Sequence, residues 1–236
     1  MSKVVCKTMI MLCCALLMFS GCAVNQRIKY NLNDISPADN SAVNTVSLSV
    51  EYFDDDRKNN VNNDILFADG HQTRFQDKSV YVNSEKHYLN PLVPIQIATV
   101  ITDHMNKRAA FNSVMTSSRT LTDFYLVGRI KDFYGRQDYS RGAVIGAQFG
   151  LIGALATAGI KSDGTVRIGF SDIKVYAKDG NLVKEIGEIS EIYNEQLPVD
   201  AYGWCIYFNV NEKLKNVVNR LADEVEKAVS EHVNLK

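Results

Sequence analysis

Beyond residue 22 this chain has a single cysteine, Cys205; the other four of its five, Cys6, Cys13, Cys14 and Cys22, crowd into its first twenty-two positions. One thiol cannot close an internal disulfide, and it excludes paired-cysteine zinc and redox motifs from the body of the protein. Cys205 stands in Trp204-Cys205-Ile206-Tyr207-Phe208, with no identifiable base to activate it, so it reads as a buried, inert thiol. An excess of charge of either sign is also missing: the 236 residues carry a formal net charge of −1. Without a basic patch, nucleic acid is not an expected partner. Phosphate loops, Gly-x-Ser-x-Gly elbows and His-Glu-x-x-His helices are absent as well. The four histidines, His71, His87, His104 and His232, are scattered; His104 and His232 fall on expected helices and read as solvated or core residues. Asp54, Asp55 and Asp56 could gather calcium, but the run lacks alternating ligand spacing and reads as a solvated turn. These absences leave no catalytic residue, no metal site and no cofactor to assign, and the expectation is a protein that is not an enzyme.

What the chain does have begins at its start. Lys3 and Lys7 precede an apolar run from Met9 to Phe19, which ends in Ser20-Gly21-Cys22. A basic opening, an apolar core of roughly 7–15 residues and small residues at the cut form a secretory signal. The run falls short of the roughly 18–20 apolar residues that span a bilayer. Ser20-Gly21-Cys22 resembles the lipobox of bacterial lipoproteins, with Phe19 where that box usually has an aliphatic residue. The resemblance implies cleavage before Cys22 and acylation of its thiol, so that the mature protein meets the membrane through lipid. Two or more acyl chains anchor stably where one is marginal. Ala23 follows the lipid site, and the same resemblance, to Gram-negative lipoproteins, implies sorting to the outer membrane, facing the periplasm. The competing reading is an ordinary signal peptide with an incidental cysteine at its end.

Residues 1–21 are therefore expected to be the signal peptide, and residues 22–44 the lipidated N-terminus and a flexible tether, since Asn25 to Ala42 is polar and rich in Asn, Asp and Ser. Residues 45–236 are expected to form one domain. Without Lys3 and Lys7 the net charge falls to −3, and the 46% hydrophobic content fits a folded body. Thr45 to Phe53 alternates apolar and polar residues as a half-buried strand does. Residues 54–90 read as an insertion with a small hairpin, turning at Asp69-Gly70 between Ile65-Leu66-Phe67 and Thr73-Arg74-Phe75. Pro91 and Pro94 introduce a helix with Ile95, Ala98, Ile101 or Thr102, Met105 and Ala109 on one face. A short strand at Phe111 to Met115 follows, then strong strands at Asp123 to Tyr134 and Thr165 to Ala177. Asp179-Gly180 turns the last of these into Leu182 to Tyr193. A final helix over Asn211 to His232 carries Leu214, Val217, Val218, Leu221, Val225, Ala228 and Val229 on one stripe. The fold class is α+β: a mainly antiparallel sheet with two helices packed on one face, a small hairpin insertion and a Gly-rich apolar segment between two strands.

The helix Ile95 to Arg108 running into Phe111-Asn112-Ser113-Val114, the strand from Thr122 to Gly128, the meander through Ile173 to Gly180 and the closing helix resemble small α/β lipoproteins of the bacterial envelope. These include the auxiliary lipoproteins of ABC-type transporters, YajG-like lipoproteins and the curli-secretion lipoprotein CsgG. The likeness lies in element order over residues 45 to 232, with 54–90 unmatched. It implies a role in transport, secretion or assembly, and it carries over no catalytic residue.

Two further features invite a function. Residues 142–160, GAVIGAQFGLIGALATAGI, lie between the two strongest strands, where a short turn would suffice. Gly142, Gly146 and Gly150 recur every four residues and Gly153 falls near the same line; on a helix they make a flat stripe that permits close approach. Three readings stand side by side: a connection packed on its own domain, a subunit contact in a homo-oligomer, and a segment dipping into a membrane. The aromatic cluster Tyr202, Trp204, Tyr207 and Phe208 is either interface or core. The expected function is a non-enzymatic accessory or oligomeric subunit of an envelope system, with a lipid- or glycan-binding module as the alternative.

Overall fold

The computed structural model describes residues 32, 34–38, 43–57, 72–74, 93–138, 159–198 and 204–235. Its elements are β1 (Ser47–Val50), β2 (Asp54–Asp55), β3 (Gln72–Arg74), α1 (Val93–Arg108), β4 (Ser113–Thr116), β5 (Phe124–Asp138), β6 (Lys161–Ala177), β7 (Leu182–Pro198) and α2 (Trp204–Asn234). The strands join one sheet in the order β4-β1-β5-β6-β7, with β2 and β3 also paired to β5. The long strands β5, β6 and β7 form the antiparallel meander that the sequence pattern indicates. Against the other edge of β5, three short strands take turns: β1 beside Phe124–Leu126, β2 beside Arg129 and Ile130, both parallel, and β3 antiparallel beside Arg136–Asp138.

Alternation sorts the two faces. Leu48, Phe124, Leu126, Ile168, Phe170, Ile173 and Val175 are buried beneath the helices. All seven residues of the expected α2 stripe, Leu214 through Val229, are buried against them. The expected face of α1 is buried at Ala98, Ile101, Thr102 and Met105, and Val93, Ile97 and His104 widen it, whereas Ile95 is half-buried and Ala109 is exposed. Ala109 lies past the helix end with φ 53°, so it no longer follows the helical period.

Two other expectations change. Asp54 and Asp56 are exposed as expected, but Asp54 and Asp55 pair with β5 as a short strand rather than forming a turn. Phe53, buried at 1% exposure, sets its ring edge-on to Phe170 with centroids 5.5 Å apart. This pins the chain so that Asp54 and Asp55 run beside β5, with the Asp56 amide donating to the Ile130 carbonyl at 3.1 Å. Asp55 then accepts both Nε and Nη2 of the buried Arg57, each at 2.8 Å. In the hairpin region, the described residues Gln72–Arg74 pair with β5; Ile65 to Phe67 and the Asp69-Gly70 turn lie outside the described residues. Within the expected tether, the described residues Asp34 and Ala38 bond to the helices.

Gly128 is where the sheet meets Phe53. A Cβ at Gly128 would lie 2.7 Å from Phe53 Cε2, and Phe170 blocks the ring from yielding. Gly128→Ala is therefore expected to destabilise the fold by about 1–3 kcal/mol, as overpacking does, read from urea midpoints.

Both sheet edges are guarded. At β4, the Asn106 side chain donates from Nδ2 to the Val114 carbonyl at 2.9 Å and accepts the Val114 amide at 3.0 Å, standing in for another strand. Asn106→Leu should cost about 1 kcal/mol and leave an edge able to pair with other chains; concentration-dependent light scattering checks the second effect. At β7, Glu185, Glu188, Glu191 and Glu195 line a strand kinked by Gly187 at φ +87°. Pairing β7 with its counterpart in a second copy would set glutamates near glutamates, which is unfavourable.

Candidate functional site

The strand directions give the sheet two ends. At the near end lie the start of β5, the β6–β7 turn and the end of α2, where Phe124 and His232 rings meet edge-on with centroids 5.8 Å apart. Gly180, at φ +87°, makes the turn, its amide donating to the Ala177 carbonyl at 2.9 Å. Asp123 locks β1 to β5 here by accepting the Ser47 amide at 2.8 Å and the Ser47 hydroxyl at 2.7 Å. Those bonds, the hydroxyl's first, hold its carboxyl below the ordinary carboxylate range.

At the far end, Gln72 faces Asp138, Gln137 faces Gly164 and Lys161 faces Pro198. The Gly-rich segment is thus attached at two adjacent strand ends, Asp138 and Lys161. Gly159, at φ +90°, and the exposed Ile160 lead into β6. Pro198 leads by five residues to Trp204, the first residue of α2. The fold therefore gathers at one end of the sheet the attachment points of both segments singled out in the sequence. Gly142, Gly146, Gly150, Gly153 and Tyr202 lie outside the described residues, as does Cys22. Trp204, Cys205 and Tyr207 belong to the first turns of α2. The pairing of β5 with β6 answers one part of the membrane reading, since strands joined at Gln137 and Gly164 cannot stand on opposite sides of a bilayer.

The sheet face away from the helices holds a row that the sequence reading missed. Register places Met115, Ser49, Tyr125, Tyr176 and Leu182 side by side across β4, β1, β5, β6 and β7. Tyr125 and Tyr176 stack with centroids 5.1 Å apart and planes 11° from parallel. Leu182 at 52% and Met115 at 38% exposure flank them. Each residue alternates correctly in its own strand, but only the cross-strand register shows the row. Farther along this face, Arg129 pairs with Asp172, Lys131 with Glu188 and Lys174 with Glu185.

Between the helices lies a polar cluster. Arg108, at the end of α1, donates from Nε and Nη2 to the two Glu226 oxygens at 2.7 and 2.9 Å, and from Nη2 to Asp223 at 2.6 Å. Glu226 is buried, and its hydrogen bonds and charge raise the Arg108 pKa further. One turn earlier His104 is fully buried. Burial first, then the Arg108 charge, lowers its pKa to about 4, against a hydrogen bond with Asn219. The cluster is a clamp joining α1 to α2. Among the described residues no group of three or more His, Cys, Asp or Glu could hold a metal ion, and no helix is long and apolar enough to cross a membrane.

The fold is thus a two-layer α+β sandwich of one mixed, mostly antiparallel sheet and two helices. No family model matches the chain, and no curated protein does. Among solved structures it is similar to protein XCC0632 of Xanthomonas campestris, of family DUF330, at 10% identity and TM-score 0.47, over 88% of this chain and 96% of that one. A PelC dodecamer from Paraburkholderia phytofirmans is similar at 6% identity and TM-score 0.31, over 78% and 89%. A putative neuraminyllactose-binding hemagglutinin homolog from Helicobacter pylori is similar at 10% identity and TM-score 0.32, over 88% and 95%. At these scores no residue role is transferred.

Proposed function

We propose that this protein is an exported lipoprotein, anchored through lipid on Cys22, that serves as a non-enzymatic accessory or oligomeric subunit of an envelope transport, secretion or assembly system. The observation that carries the reading is the N-terminal pattern: Lys3 and Lys7, the apolar run and Ser20-Gly21-Cys22. In this reading the anchor holds the protein to the outer membrane, facing the periplasm. The contact with a second copy or a machinery partner is assigned to the stripe Gly142, Gly146, Gly150 and Gly153 and to Tyr202, Trp204 and Tyr207, which belong to segments attached at the far end of the sheet. The shared attachment of those segments supports this choice. The guarded edges support it too, because they leave strand pairing an unfavourable route to assembly. The alternative, a lipid or glycan held between sheet and helices, is less supported, since large side chains such as Leu48, Ile101, Phe170 and Leu221 fill that layer.

Palmitate labelling and the mass of the N-terminal peptide test the anchor: label is expected on wild type and lost in Cys22→Ala, and unlabelled wild type refutes it. Light scattering on the detergent-purified mature protein and on an exported soluble Cys22→Ala form tests assembly. An oligomer that Gly146→Leu dissociates is expected; monomers of both forms at micromolar concentration overturn the subunit reading.

A further inference from the structure

The N-terminal segment that leads from Cys22 does not run freely to the sheet. Ile35 is buried at 7% exposure and Ala38 packs against the core. The Ala38 amide donates to the Arg108 carbonyl at 2.8 Å, at the end of α1. Lys215, in the first half of α2, donates to Asp34 at 3.1 Å. The segment therefore lies over the helix pair, tied to both helices, before the chain enters the body at the fully buried Val43.

We infer that residues 34–38 form a releasable strap that sets how far the body can stand from its membrane anchor. This rests on the proposed acylation of Cys22. With the strap docked, Asp34 lies twelve positions along the chain from Cys22, a reach of at most about 40 Å. With it released, the free chain extends to Val43, twenty-one residues away, and the limit rises to about 70 Å. The contacts are suited to release. Among the described residues the strap is held by buried Ile35, half-buried Ala38, one backbone hydrogen bond to α1 and an ion pair whose aspartate is 75% exposed, and the conformational entropy of five ordered residues opposes them. Release breaks no element of the sheet. The Arg108 side chain stays clamped to Glu226 and Asp223, because the strap uses only its carbonyl. A partner that competes for Ile35, or pulls on the body, would thus lengthen the tether without unfolding the domain.

The test uses the full chain, exported, purified and placed in phospholipid vesicles that contain a dye-labelled lipid. Amide exchange should show Ala38 protected at least about tenfold in wild type, and open in Ile35→Asp and in Asp34→Lys. A second dye on Lys184→Cys, in a Cys205→Ser background, should lose energy transfer to the bilayer by about twofold on release. Asp34→Lys leaves the core untouched, so its result stands even where Ile35→Asp folds poorly. Unprotected Ala38 in wild type overturns the strap, and so does energy transfer that neither substitution changes. A missing acyl mass on Cys22 overturns the anchor reading instead, and is distinguishable because Ala38 protection is measured independently of it.

Discussion

Replacing Arg108 with methionine will lower the stability of the domain by about 3–5 kcal/mol, because it strands a buried carboxylate. Glu226 is 4% exposed, and both of its oxygens are occupied by Arg108. Desolvating that carboxylate is tolerable only while the guanidinium answers it; once the partner is gone, the charge stays buried with its solvation lost. The loss is one-sided. Replacing both residues with apolar ones of similar size removes the charge along with its partner, and such swaps are often neutral or stabilising. Arg108→Met with Glu226→Leu should therefore recover most of what Arg108→Met loses. Asp223 adds little to this balance, because its side chain is 63% exposed and an exposed pair is worth at most about 1 kcal/mol. Urea denaturation of the three proteins decides the matter. A single variant within about 1 kcal/mol of wild type, or a double variant no more stable than the single, would refute the clamp as a buried ion pair.

The contrast between this clamp and the meander shows what a sequence can display. β5, β6 and β7 were legible because each alternates over many residues, and because Asp179-Gly180 marks their turn. The stripe of α2 was legible because seven apolar positions recur at helical spacing. The parallel placement of β1 between β4 and β5 was not, since alternation tells which residues point inward but not which strand lies beside them. Asp54 and Asp55 were misread for a related reason: two aspartates look like a turn until Phe53 is seen to hold them against β5. Arg108 and Glu226 are 118 residues apart, and nothing local announces their meeting. The Gly-rich and aromatic segments were each visible as composition. Only the topology, which sets the end of β5, the start of β6 and the end of β7 together, shows that their attachment points share an end. The outward row through Tyr125 and Tyr176 has the same status, for it exists only in the register between strands.

His104 will make this protein acid-sensitive above the range in which carboxylates usually titrate. Its native pKa is about 4, and an unfolded histidine titrates near 6.5. Between those values the unfolded chain binds a proton that the native state refuses, so stability falls as the pH drops through 6.5 and levels off below about 4. The shift corresponds to about 3 kcal/mol at full extent. It is fully present near neutral pH, where both states hold His104 uncharged. Burial explains most of the refusal, and the groups that face His104 add to it. Arg108 on its own helix and Lys215 on α2 would repel the imidazolium, and Asp223 and the Asn219 hydrogen bond only partly compensate. Asp123 has the opposite chemistry in the same direction: its carboxyl is held below the ordinary range by Ser47, so its contribution disappears at still lower pH. The two are separable by their windows. His104→Gln should be less stable at neutral pH yet lose much less between about pH 6.5 and pH 4, whereas Ser47→Ala should leave that interval unchanged. Denaturation midpoints across the interval test this, and parallel curves for wild type and His104→Gln would show that His104 does not govern the acid response.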